Sequence, residues 1–231
     1  MLAVLSLSAF AQADVIATVP ETVARYARDL DRVRKHPGTV SLEPVFSEGL
    51  AAAAALEHGQ LEQLDKPTYQ KIQVMMAGFY ISREEVVLAI PDAGFFLKLA
   101  KERGTRIDQA FFETERKTYP DGAWPAYTNQ QTDYSGCTVH DGKTLTGLYG
   151  NWAAFQKSYP GHYREPVKNE VDGIEAALRS TCACGSEDGV RKELEDFLKA
   201  FPNSTASAMV TKRLEAIRNH TSGIRFNCIA R

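Results

Sequence analysis

Apolar side chains recur at helical spacing along most of this chain. From Glu21 to His36, Val23, Tyr26, Ala27, Leu30 and Val33 fall on one stripe, which predicts an amphipathic helix stopped by Pro37-Gly38. A second helix is expected from about Pro44, through the alanine run Ala51 to Ala55, to Leu64. Tyr69 to Ile81, apolar at Ile72, Met75, Met76, Phe79 and Tyr80, reads as a buried helix, with Ser82-Arg83-Glu84-Glu85 as the capping box of the next. Pro91-Asp92 opens a helix that Gly104 stops, and Thr105-Arg106-Ile107-Asp108 caps another reaching about Tyr119. Further helices are expected over about Thr144–Tyr159, Glu165–Thr181, Glu187–Phe201 and Ser204–Asn219.

Between Pro120 and Lys143 the periodicity disappears and turn-forming residues are dense. Only Thr138-Val139-His140 and Ile224-Arg225-Phe226 suggest short extended pieces. The pattern predicts an all-α fold, a multi-helix array or bundle of antiparallel α-hairpins with one long irregular loop. Its regions would be a signal peptide at 1–13, an N-terminal helical region at 14–119, the loop at 120–143 and a C-terminal helical region at 144–231, with one continuous domain from residue 14. The signal is read from Met1 to Ala13: uncharged, apolar through Phe10, and closed by Ala11-Gln12-Ala13, which suits cleavage before Asp14. That stretch is too short for a transmembrane helix, so a periplasmic or secreted location without membrane insertion is expected.

Three segments share a lysine, a small residue, an aromatic and a proline: Lys117-Thr118-Tyr119-Pro120, Lys157-Ser158-Tyr159-Pro160 and Lys199-Ala200-Phe201-Pro202. In the last two the preceding helix matches as well, with Trp152, Phe155, Tyr159 and Leu194, Phe197, Phe201 at i, i+3 and i+7. Residues 144–219, and Phe197 to Met209 above all, resemble the tetratricopeptide-like α-hairpin units of bacterial envelope assembly factors. The resemblance implies stacked helix pairs that serve as a protein-binding surface.

Charge adds an exclusion. With 27 basic against 29 acidic residues the net charge is −2, which gives no electrostatic footprint for nucleic acid and no polybasic surface for lipid. The four cysteines, Cys137, Cys182, Cys184 and Cys228, all lie in the second half. In an exported chain an even count predicts disulfides. A Cys182–Cys184 bridge would be strained, leaving Cys137 joined to one of the pair and Cys228 to the other. If the pair sits at a helix end, its members project in nearly opposite directions, as two separate bridges need. The alternatives are a zinc set of Cys137, His140, Cys182 and Cys184, which orphans Cys228, or a redox role for Cys-Ala-Cys.

None of the five histidines lies in a recognisable catalytic motif. The pair His162 and Glu165 reads as a solvated capping region, and Glu113 and Glu115 as a charged helix face, although either glutamate could stand in for the carboxylate of a glycan-cleaving helix. Side-chain chemistry concentrates in the loop, whose candidate binding residues are Trp124, Tyr127, Asp133, Tyr134 and His140. The function expected is an exported helical binding or adapter protein of the bacterial envelope, with a protein partner, a possible glycan ligand, no cofactor and no catalytic chemistry. The alternatives are a glycan-directed hydrolase using Asp133, His140 or a helical glutamate, and a secreted inhibitor or immunity protein.

Overall fold

The computed structural model describes residues 19–58, 61–83, 87–132, 135–226 and 228. The expected leader and residues Glu84, Glu85, Asp133 and Tyr134 lie outside the described residues. Among the described residues the helices are α1 (Glu21–Lys35), α2 (Glu43–His58), α3 (Lys66–Met75), α4 (Ala93–Arg103), α5 (Arg106–Thr118), α6 (Thr144–Ser158), α7 (Arg164–Arg179), α8 (Glu187–Ala200) and α9 (Ser207–Arg218). Six short strands accompany them: β1 (Phe79–Arg83), β2 (Val87–Pro91), β3 (Thr128–Thr132), β4 (Ser135–Val139), β5 (Cys182–Cys184) and β6 (Arg225–Phe226). The fold is therefore helix-rich with a minor sheet component, and the all-α expectation is corrected.

The strands appear where apolar periodicity was ambiguous. The helix expected over Tyr69–Ile81 stops at Met75, and Gly78 turns the chain with φ 93°. A Cβ there would lie 2.5 Å from the Phe95 ring, so glycine is required on both counts. Phe79-Tyr80-Ile81 then alternates inward, outward, inward as β1 pairs antiparallel with β2, and the supposed capping box at Ser82 opens no helix. Short apolar runs satisfy helix and strand templates alike, and here the positive φ at Gly78 decides. Elsewhere the caps hold. Asp92 accepts from Gly94 and Phe95 at the start of α4, and Thr105 and Asp108 form a reciprocal capping box on α5.

The loop at 120–143 folds as well. β3 and β4 form an antiparallel hairpin, and β5 and then β6 extend it in parallel to give the order β3-β4-β5-β6. The disulfides join Cys137 to Cys184 and Cys182 to Cys228. Both members of the central pair stand on β5, not at a helix end. Residues two apart on a strand share a face, so the bridges diverge because β4 and β6 flank β5 on opposite sides.

One hydrophobic core runs from α1 to α9. Its centre is aromatic: Phe111 of α5 stacks on Tyr163 with centroids 3.8 Å apart, and Phe46, Phe112, Trp152 and Phe155 close around them. Asp108, 1% exposed, is held there by donors from Leu42 N, Thr105 N, Thr105 Oγ1 and Tyr163 Oη. α6 packs on α7, α8 on α9, and α6 also meets α5 and α8. Each of the three Lys-small-aromatic-Pro segments ends a helix at its aromatic, with Tyr119, Tyr159 and Phe201 N–H each donating to the carbonyl four residues back.

Candidate functional site

The two ends of the irregular segment have different surroundings. Trp124 is 40% exposed and stands at the rim of a cleft of about 240 Å³. Tyr127 is buried beside it, its Oη 3.0 Å from where a Cβ on Gly173 of α7 would stand, so the missing side chain lets the phenol close against the helix. His140, at the far end of the segment, is 6% exposed and lines no part of that cleft. Neither ring nitrogen of His140 has a hydrogen-bond partner among the described residues. Burial first, and the Arg213 charge second, push its pKa down to about 4 against the opposing pull of Asp141. The imidazole is therefore neutral through the physiological range. The thiols needed for the zinc alternative are taken up in the two bridges. His162 turns to Glu43, with Nδ1 3.1 Å from Oε2.

The cleft is walled by α2, the end of β2, the last turn of α5, the Gly122–Pro125 segment and the first half of α7. Hydrocarbon from Phe46, Leu50, Ile90 and Pro125 makes up much of it. Two carboxyl side chains are among its lining: Glu115 from α5, 5% exposed, and Glu170 from α7, close enough for Glu170 to act electrostatically on Glu115. Tyr119 Oη donates to Glu170 Oε1 at 3.1 Å. Glu115 Oε2 and Glu170 Oε2 are buried without a hydrogen-bond partner among the described residues. This is the opposite of Asp108, whose carboxylate collects four donors in the same core.

The electrostatics follow from the geometry. Burial, and then the nearby Glu170, hold Glu115 well above the usual carboxylate range. Burial raises Glu170 to about 7, with the Tyr119 hydrogen bond acting the other way. Burial and the two carboxylates also push the Tyr119 and Tyr127 phenols upward, so neither ionises near neutrality. Like charges in a low-dielectric cleft cannot both ionise freely, so the pair shares protons near neutral pH.

Glu115 reads in the sequence as part of a charged helix face or, alternatively, as a glycan-cleaving carboxylate, and the repeat contains a further signal for it. Aligning the three aromatic-Pro ends sets Phe112, Glu115 and Tyr119 against Trp152, Phe155, Tyr159 and against Leu194, Phe197, Phe201. A carboxylate occupies the slot that holds a buried phenylalanine in the other two helices. Glu170 has no such signal, because its partner lies on another helix. Next to the cleft, and sharing Pro91 and Gly122 with it, a second depression carries Tyr80, which is 61% exposed.

No family model, no curated protein and no solved structure matches this chain.

Proposed function

We propose that this chain is an exported helical binding or adapter protein of the bacterial envelope that seats part of a protein partner in the Trp124 cleft. The observation that carries the reading is Trp124 itself, left 40% exposed in the lining of a concave, largely apolar site to which two glutamates with unpartnered buried oxygens also belong. Exposed aromatics beside such a concavity are what binding anchors are made of. Two bridged cysteine pairs suit an oxidising compartment, and among the described residues no helix is long and apolar enough to cross a membrane. The tetratricopeptide-like resemblance of residues 144–219 is in keeping with an adapter. Capture from an envelope extract with the wild-type chain and with Trp124→Ala tests the reading. A protein enriched by the first and lost with the second supports it, and identical capture by both overturns it.

A second reading, a glycan-directed hydrolase, is favoured by Glu115 and Glu170 lining one cleft and by the rise of Glu170 to about 7, which places a proton donor in the neutral range. It requires turnover of cell-wall glycan that Glu170→Gln abolishes while glycan binding persists. Wild-type chain without turnover removes it.

A further inference from the structure

The chemistry of the cleft narrows the part of the partner it takes, an inference that rests on the binding reading above. We propose that the cleft receives a single cationic group on an apolar stem, the ammonium of a lysine or the guanidinium of an arginine side chain presented by a protein, with Glu115 and Glu170 as paired acceptors.

Three observations carry this. First, two buried oxygens, Glu115 Oε2 and Glu170 Oε2, lack donors, and Glu115 is more than nine-tenths buried. An orphaned buried acceptor costs free energy that a ligand donor recovers. Second, among the described residues no lysine, arginine or histidine lines the cleft, so those residues supply no cation there. Third, the walls beside the carboxyls are hydrocarbon, with the Trp124 indole at the rim. That combination fits a methylene stem carrying a charge at its tip, with an aromatic face available to the cation. A divalent ion asks for about six oxygen ligands, which these walls do not offer.

The groups acting electrostatically on the pair are each other, Tyr119 of the same helix and Tyr127 behind α7. Both phenols stay neutral, so the carboxyl pair alone sets the pH response. A cation favours the ionised carboxyls and displaces protons that burial holds on them in the absence of a ligand. Binding therefore releases protons, and affinity falls as the pH is lowered.

The test is calorimetric titration of the full chain with a short lysine-containing peptide, the same peptide with norleucine in place of lysine, a free alkyl diamine and a chitin-type oligosaccharide. Titrations at pH 6 and pH 8, in buffers of different ionisation enthalpy, count the protons released. We expect the lysine peptide to bind at least tenfold more tightly than the norleucine peptide, with proton release at pH 6, and Glu170→Gln to remove both the preference and the release. Equal binding of the two peptides, or lysine-peptide binding without proton release, overturns the proposal, and the wild-type proton count decides even if Glu170→Gln folds poorly. Preference for the free diamine over the peptide overturns the protein source. Preference for the oligosaccharide moves the site to the glycan class. Trp124-dependent capture of a partner without any preference for cations would defeat this inference alone and leave the binding reading intact.

Discussion

The Trp124 cleft and the surroundings of His140 lie toward opposite ends of the irregular segment 120–143, and each buries titratable groups without hydrogen-bond partners among the described residues. At the cleft the groups are acids, an exposed aromatic lines the same cleft, and their side chains are among the lining of a cavity of about 240 Å³. At the other end the group is an imidazole, 6% exposed, in a region bound by two disulfides. Unsatisfied polarity that opens to a cavity can be relieved by a ligand, whereas the same feature sealed behind a cross-linked sheet is borne by the fold. The contrast is in keeping with the binding role proposed for the first end and with a scaffolding role for the second.

The largest effect that would sharpen this contrast is removal of the cross-links. Cys182→Ser/Cys184→Ser abolishes both bridges, each closing a loop of 46 or 47 residues, and by loop entropy each contributes about 4 kcal/mol. The double variant should lose the C-terminal part of its thermal transition, while a melt matching wild type together with lost bound zinc would reverse the assignment of the cysteines. Next, Trp152→Ala should cost about 3–5 kcal/mol in urea unfolding, since the indole is fully buried and donates to Thr118 Oγ1. A cost below about 1 kcal/mol would mean that the aromatic centre is not the keystone of the core.

The two titratable sites should then respond to pH with opposite sign. His140 has a lowered native pKa of about 4, so the unfolded chain binds the extra proton between roughly pH 6.5 and 4. Acidification through that window should remove up to about 3 kcal/mol, and His140→Gln should flatten this limb. The acids have raised native pKa values, so there the native chain holds more protons and stability falls as pH rises from about 4.5 to 7. Glu170→Gln should reduce this second slope, leaving the part that burial of Glu115 sets, and add about 1–2 kcal/mol at pH 8, a figure reduced because Glu170 is only partly buried. Urea titrations of the two variants across pH 4–8 separate the limbs, and slopes of the same sign in both would erase the distinction. The smallest effect is Trp124→Ala, which should move stability by no more than about 0.5 kcal/mol while abolishing partner capture. A large drop in melting temperature would make Trp124 a packing residue.

Much of the helical framework could be read from the sequence because caps are local. Asp92, and Thr105 with Asp108, announce α4 and α5 through hydrogen bonds that close within three residues. The hairpin at Phe79–Pro91 could not, since Ile72, Met76 and Phe79 fit one helical face until Gly78 takes positive φ. Extended pieces at Thr138-Val139 and Arg225-Phe226 could be read locally and fall on β4 and β6, whereas β3, β5 and the order of the sheet, assembled from distant segments, leave no trace in a local window. In the candidate site, Trp124 was legible by composition, while Glu115 looked like one more surface charge. Its unusual environment arises from α7 bringing Glu170, 55 positions away in sequence, to the same cleft.

The placement of both central cysteines on β5 has a consequence for the order in which the bridges form. As the chain emerges from its N-terminal end, the first thiol that Cys137 can meet is Cys182, and its native partner Cys184 follows two residues later. The earliest available bridge is thus the wrong one, and Cys228, the proper partner of Cys182, comes only after α8 and α9. Correct pairing depends on β5 settling between β4 and β6, or on exchange that undoes the first bond. Oxidation of this chain is a matter of timing, and a catalyst that reshuffles disulfides should raise its yield more than one that only makes them.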